Sequence, residues 1–466
     1  MAQSKKELTL LQALQDPHLL GAFIHRETWG AWFTLLRAMQ ALPPEDGDEE
    51  LFQRCTGRQS WPTVPARETY IIAGRRSGKS INAALLATYM AAMRTYCGLS
   101  RGERATIPVV SPTKQQSRII QRYVWTMFRD NPLLSAMIER ETTTELDLNN
   151  GVSIETMVAD QRTVRGYTSP CVILDESAFF SSEAARSDVE VIRAWRPALA
   201  TLRGILVCIS SPYAKTGALF NAHRKWWGKD GDVLVWQSAS TVLNPTLDRT
   251  FIEEALADDP EASSSEWLGQ FRADIESFVA REAVEQCVIP GRYELPYVPA
   301  HAYVGFVDPS GGRADAMYLA VGHKEGETFV LDCLRSAPAP FSPDSVVDEF
   351  ATTLKSYKVH TVAGDRYGGI WPEERFKVHG IAYEVADKAK SDLYRELLPL
   401  INSRRLEMLD HDQLTSQLVN LERRTSRSGK DSIDHGPGGH DDLSNVLAGV
   451  AYRLAHKADF IFARYL

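Results

Sequence analysis

The stretch Tyr70-Ile71-Ile72-Ala73-Gly74-Arg75-Arg76-Ser77-Gly78-Lys79-Ser80 constrains the fold of this 466-residue chain more than any other. A short apolar run leads into a loop that ends in Gly-Lys-Ser, and the helix-forming Asn82-Ala83-Ala84-Leu85-Leu86-Ala87 follows. This order predicts a strand, a phosphate-binding loop and a helix. Small residues let successive backbone N–H groups wrap phosphate oxygens while the helix points its positive N-terminus at them. In this reading Gly74, Arg75, Arg76, Ser77, Gly78, Lys79 and Ser80 form the nucleotide cradle, with Lys79 reaching the terminal phosphates and Ser80 holding Mg2+. At least one of Arg75 and Arg76 is expected to face phosphate or Glu176. Ala73 stands where the motif usually has Gly, which bears on nucleotide affinity more than on binding itself. The alternative, a plain glycine turn, lacks the flanking strand and helix that are present here.

Length suggests two or three domains. The 44% hydrophobic and 24% charged content is that of a soluble globular chain. No apolar stretch reaches the roughly 18 residues of a membrane span, and the first residues lack the apolar core of a signal peptide. The expectation is a cytoplasmic protein with no membrane contact. Cys55, Cys97, Cys171, Cys208, Cys287 and Cys333 show no paired spacing and read as reduced, mostly core residues. A net charge of −8 argues against coating nucleic acid over the whole surface, while leaving room for a local basic track.

The pattern divides the chain into four parts. Residues 1–60 read as a helical segment, interrupted by an acidic turn at Pro43–Glu50. Residues 61–245 alternate apolar runs (70–73, 107–110, 172–174, 205–209 and 233–236) with amphipathic helices, which predicts a mostly parallel sheet covered on both faces. Residues 246–300 break the rhythm with turn signals around a helical piece ending near Phe278 and read as a connector. Residues 301–466 resume the alternation as a separate α/β domain, closed by a helix from Asp441 to His456.

Hydrolysis needs a second acidic site beside the loop. Cys171-Val172-Ile173-Leu174-Asp175-Glu176 is an apolar strand ending in two acids. It would place Asp175 at the Mg2+ hydration shell and Glu176 where it can activate water; the plainer reading is a buried strand capped by surface acids. Arg162 and Arg165, just before that strand, could each stabilise transition-state charge, in their own or a neighbouring subunit, or serve only as solvated loop residues. Ser210-Ser211, after the next apolar run, suits a sensor of the terminal phosphate, though a simple strand-ending turn would look the same.

In the last domain Asp308 and Asp365 each end a strand, and Asp441-Asp442 begin the final helix. Singly each acid has a structural explanation as a turn or cap residue. Together they can converge at one sheet edge as hard oxygen ligands for Mg2+ or Mn2+, and two such ions would serve phosphodiester hydrolysis. Asp315 is a further candidate ligand. Arg404-Arg405 and Arg423-Arg424-Thr425-Ser426-Arg427-Ser428-Gly429-Lys430 make the clearest basic tract, whose Ser-Gly-Lys turn reads as a hairpin tip able to lie along a DNA backbone.

With the arginine-bearing loop, Leu174-Asp175-Glu176, Ser210-Ser211-Pro212 and the ordered acids Asp308, Asp365 and Asp441-Asp442, the chain resembles the large terminase subunit of tailed bacteriophages over nearly its whole length. The resemblance implies an N-terminal P-loop ATPase of the additional-strand class with a parallel-rich sheet, followed by a C-terminal RNase H-like nuclease domain. It implies ATP-driven translocation of double-stranded viral DNA into procapsids, coupled to metal-dependent endonuclease cleavage. Implied cofactors are ATP with Mg2+ at the first site and Mg2+ or Mn2+ at the second. The implied partners are DNA, the portal protein, a small terminase subunit and further copies in a ring, usually a pentamer, in the cytoplasm of the infected host. Lys79, Ser80, Asp175, Glu176 and Ser210-Ser211 match the motor positions. Asp308, Asp365 and one of Asp441 or Asp442, with a lean to Asp442, match the nuclease ligands. Gln59 falls where an adenine contact would sit. Two other classes stay open on sequence: a helicase or repair nuclease, and a nucleotide-gated assembly module whose C-terminal acids only cap turns.

Overall fold

The computed structural model describes residues 7–159, 164, 166–180, 188–313, 315–365, 371–425, 431–436 and 439–456. The chain forms two compact units, Met1–Asp274 and Ile275–Leu466, dividing within the stretch read as a connector.

The first unit is built on eight strands: β1 (Glu68–Ala73), β2 (Ala105–Ser111), β3 (Ile138–Glu141), β4 (Glu145–Leu148), β5 (Val152–Val158), β6 (Cys171–Asp175), β7 (Ile205–Ser210) and β8 (Val233–Ser238). Their order is β3-β4-β5-β2-β6-β7-β1-β8. From β8 to β5 every neighbour pairs in parallel, and only the β5–β4 and β4–β3 pairings are antiparallel. β7 lies between the loop-bearing β1 and the acid-ending β6, so this sheet has the additional strand expected for its class. Within β1, Ile71 and Ala73 join one core layer while Tyr70 and Ile72 join the other, the period of two that buries both faces of a central strand.

The helix Lys79–Ala92 packs between this sheet and the helix Lys114–Asp130. Its alanines and leucines are buried almost all round, as a helix covered on both sides requires. The N-terminal segment holds the expected helices, among them Gly30–Met39 and Asp48–Thr56. The acidic turn is shorter than its sequence suggests, because Asp48, Glu49 and Glu50 form the first turn of the second helix. Asp48 is drawn inward to accept from Arg37 Nη1 and Thr34 Oγ1, both at 2.5 Å. The helical piece expected to end near Phe278 is two helices, Arg249–Asp258 and Pro260–Leu268; Gly269 at φ +69° stops the second, and β9 (Ile275–Ser277) follows. No helix among the described residues is long and apolar enough to cross a membrane. Five of the six free cysteines are buried, and Cys97 is exposed.

The second unit carries β10 (Val304–Asp308), β11 (Met317–Glu325), β12 (Thr328–Ala337), β13 (Thr361–Gly364), β14 (Ala382–Val385) and β15 (Leu406–Glu407) in the order β14-β13-β10-β11-β12-β15. β10, β11 and β12 form an antiparallel meander, and β13 and β14 add in parallel on the far side of β10. These directions fit the RNase H-like sheet that the resemblance implies. A smaller antiparallel sheet joins β9 to the hairpin of β16 (Leu421–Thr425) and β17 (Asp431–His435), whose tip lies outside the described residues.

The final helix, Asp442–Ala455, lies against β10 and β11. Its close approach depends on Gly449, where an added Cβ would sit 2.2 Å from the ring of Phe306. Gly449→Ala must therefore push the helix off β10. We expect a loss of about 1–3 kcal/mol, measured by chemical denaturation of the full chain, with faster hydrogen exchange along this helix.

Candidate active sites

In the first unit the P-loop is held from beneath and from the side. Trp32 Nε1 donates to Ser77 O at 2.9 Å, Asn244 Nδ2 to Arg76 O at 2.8 Å, and Arg75 N–H to Glu266 O at 2.5 Å. Gly74 is required by crowding, since a Cβ there would lie 2.2 Å from Ser240 Oγ. The Arg75 guanidinium pairs with Glu266 at 3.0 Å, not with Glu176, while Arg76 is exposed at a φ of +61°. Sequence reading had no means to find Glu266 or Asn244, which reach the loop from far along the chain.

Lys79 is buried, and its ammonium donates to Ala73 O (3.1 Å), Gly74 O (2.9 Å) and Ser211 Oγ (2.9 Å), with Glu176 Oε1 at 3.7 Å. Burial lowers its pKa, and the carboxylates of Glu176 and Asp175 oppose that shift. Glu176 sits at φ +50°, in the left-handed region that costs a non-glycine residue energy. That conformation turns its carboxylate to accept from Ser210 Oγ at 3.2 Å and Ser211 N–H at 3.1 Å. Ser211 thus touches both Lys79 and Glu176. Ser80 is half-buried in the first turn of the helix, and Gln59 is exposed.

Asp175 is 2% exposed, and its Oδ1 accepts no hydrogen bond. Burial, then Glu176, raises its pKa, against the pull of Lys79. A buried carboxylate oxygen without a donor, beside the loop lysine, fits a hydrated Mg2+. Arg162 and Arg165 lie outside the described residues.

In the second unit parallel pairing of Val307 with Gly364 sets Asp308 and Asp365 side by side, each one residue further along its chain. Asn445 Nδ2 donates to both, at 3.1 Å to Asp308 Oδ2 and 2.6 Å to Asp365 Oδ2. Asn445 stands one turn along the helix from Asp442, on the same face; that spacing is the signal by which it could have been found. Asp441 and Asp442 are unequal. Asp441 is 2% exposed and fully engaged, taking Lys390 Nζ at 3.0 and 2.9 Å and Tyr394 Oη at 2.8 Å. Among the described residues the one ion pair of Asp442 is with His440 Nδ1, at 3.9 Å, and its charge is felt at Asp308. Asp308, Asp365 and Asp442 thus form the open carboxylate set, and Asp441 anchors the helix start. Asp315 is exposed and close enough to act on Asp442. Lys390 also reaches Asp434 at 3.2 Å.

The basic tract is more neutral than it reads, because Arg423 pairs with Asp431, Arg424 with Glu422 and Arg405 with Glu327. Ser426–Lys430 lie outside the described residues.

The chain is thus a two-unit α/β protein, with a Gly-Lys-Ser loop at a parallel-rich sheet in one unit and neighbouring carboxylates at the end of a mixed sheet in the other. No protein-family model matches the sequence, and no curated protein matches it. Solved structures similar in shape include the HK97 bacteriophage large terminase, at 15% identity over 91% of this chain and 99% of that one, with a TM-score of 0.40. A large terminase from a thermophilic bacteriophage is similar at 11% identity over 92% of this chain and 99% of that one, with a TM-score of 0.38. The large terminase nuclease of thermophilic phage G20c with bound magnesium is similar at 19% identity over 37% of this chain and 95% of that one, with a TM-score of 0.33. The fold assignment itself rests on the strand orders above.

Asp308 is pushed up to about 7, by burial first and then by Asp365 and Asp442, against the Asn445 amide and Lys390. Asp365 and Asp442 are raised as well, chiefly by burial. A raised carboxyl keeps its proton to higher pH. Its contribution to metal-free stability is full below the ordinary carboxylate range and fades as pH rises through about 7. A cation must displace these protons, so its apparent affinity should strengthen by roughly tenfold per pH unit up to about 7 and then level off. Calorimetric titration of the full chain with Mn2+ between about pH 5.5 and 8 checks this; a flat profile would contradict the assignment.

Proposed function

We propose that the chain is a large terminase subunit of a tailed bacteriophage: an ATP-driven motor for double-stranded DNA that also cuts it with a divalent metal ion. The observation that carries this reading is the combination of two chemically different groups of residues in one chain. Lys79, Asp175, Glu176 and Ser210-Ser211 form one hydrogen-bonded group at the additional-strand sheet, and Asp308, Asp365 and Asp442 form the other.

ATP with Mg2+ supplies the phosphoryl group and its charge neutralisation. The chain's part begins with Lys79, which exchanges its carbonyl partners for terminal phosphate oxygens. Asp175, with its unpartnered oxygen, holds the hydration shell. Glu176 accepts the proton of the attacking water, kept in line by Ser210 Oγ and the Ser211 N–H. Because Ser211 touches both Lys79 and Glu176, loss of the terminal phosphate alters both of its hydrogen bonds, which suits a coupling segment.

At the second site divalent ions would activate water and neutralise the leaving oxygen. Asp308, Asp365 and Asp442 would hold them, while Asn445 bridges the first two carboxylates and Lys390 and Tyr394 fix Asp441 at the helix start. The finer expectations belong to the same proposal: docking on a portal, a small-subunit partner, a five-membered ring and work in the host cytoplasm.

Single substitutions should separate the two activities. Glu176→Ala is expected to lower ATP hydrolysis by at least about a hundredfold while metal-dependent plasmid cleavage persists, and Asp308→Ala to do the reverse. Both variants should fail to fill empty procapsids with full-length, correctly ended DNA. If either substitution removed both activities in folded protein, the two-site reading would be wrong.

A further inference from the structure

At the other end of the second sheet a group of side chains stands outside both sites. His323 and Glu325 are two residues apart on β11 and face the same side. His301, just before β10, lies over them, its ring centroid 4.2 Å from that of His323. His301 Nε2 and His323 Nε2 each lie 3.2 Å from Glu325 Oε1. Pairing of Val304 with Gly322 and of Asp308 with Tyr318 puts this group about 17 Å along the strands from the carboxylate set.

Behind His323 is Asp332, 1% exposed, whose Oδ2 lies 2.7 Å from His323 Nδ1. Asp332 is the extra residue of a bulge, since Val321 pairs with Cys333 and Gly322 with Leu331. A bulge re-aims a side chain, and here it brings a buried carboxylate to the back of an imidazole. With Nδ1 turned to Asp332, His323 presents Nε2 to Glu325 Oε1, and His301 Nε2 converges on the same oxygen. His323 is only 3% exposed, so this convergence of two imidazoles and a carboxylate is built into the fold.

We propose that His301, His323 and Glu325 bind a first-row divalent metal ion of the zinc type, with Asp332 orienting His323. The ligand atoms of these three residues all lie within 4.8 Å of one another. Tetrahedral ligands at about 2.0–2.1 Å from zinc stand about 3.3 Å apart, close to both observed separations. Two imidazoles and one carboxylate favour zinc over magnesium, and a carboxylate behind a ligating histidine is the usual support for such an ion. The ion ties the segment before β10 to the β11–β12 hairpin. That segment already leans on the hairpin through Leu295 N–H, which donates to Asp332 O at 2.8 Å. Three protein ligands leave the fourth position to water. The site is independent of the proposed packaging function.

The test uses the untagged full chain carrying Asp308→Asn and Asp365→Asn, so that the carboxylate set does not compete. After chelation and dialysis, Zn2+ is titrated by calorimetry and Co2+ by visible absorption. We expect one equivalent of Zn2+, the intense visible bands of four-coordinate Co2+, and a rise in thermal midpoint on metal addition. His301→Ala and Glu325→Gln, both at the accessible rim, should abolish the Co2+ bands and the shift while circular dichroism is unchanged. Asp332→Asn should weaken binding by about 10–100-fold. The proposal is overturned if the parent chain takes up no Zn2+, or if His301→Ala and Glu325→Gln both retain its stoichiometry and Co2+ bands.

Discussion

A buried ammonium must be paired, and the arrangement of the first unit follows from how Lys79 meets that demand. Its partners are the two carbonyls where β1 ends, the Ser211 hydroxyl beyond β7 and the Glu176 carboxylate beyond β6. Three neighbouring strand ends therefore meet at one cation, which is possible only because β7 is inserted between the other two. The cluster lies at the carboxyl ends of parallel strands, where a parallel sheet leaves a crevice. Asp175 contributes the opposite charge but has no donor for one oxygen. Two acids thus stand against one lysine, and one acid oxygen is left without a donor.

The second unit solves the inverse problem. There three carboxylates must lie close together, and like charges repel at that range. The structure answers with burial, which favours the protonated acids, and with the neutral Asn445 amide donating to two of them. Lys390 lies close by, yet its salt bridges go to Asp441 and Asp434, leaving the open set without a lysine or arginine partner among the described residues. Asp441 and Asp442 are adjacent in sequence but differently placed, because Asp441 is the N-cap at φ −139°, outside the helix, and Asp442 is its first residue.

Much of this was legible in sequence wherever chemistry and position coincide. The loop motif, the apolar run before Asp175-Glu176 and the strand-ending Asp308 and Asp365 each carry their own local signature, and the central strands follow from their apolar runs. β3 and β4 do not, because the edge strand Ile138-Glu139-Arg140-Glu141 is mostly charged and exposed, and Glu145-Leu146-Asp147-Leu148 is too short and too evenly split between acids and leucines to stand out, although it is buried. Charge near a strand end was also misread: Arg423 and Arg424 look like a free basic tract, and pairing with Asp431 and Glu422 is a property of hairpin register. Lys390 and Trp32 act through contacts made only after folding, and no local pattern announces them. The histidine cluster was hidden for the same reason, since His301 and Asp332 reach His323 only through strand pairing and a bulge.

Trp32 shows what the first sixty residues are for. Its indole N–H holds the Ser77 carbonyl, and the helix bearing it is locked to the next by the buried Arg37–Asp48 pair. The floor of the nucleotide loop is thus laid by a segment that precedes the sheet altogether. A tilt of those helices would travel through one hydrogen bond into the backbone that wraps phosphate. The N-terminal region is therefore part of what shapes the Gly74–Ser80 loop, and not a decoration on a finished domain.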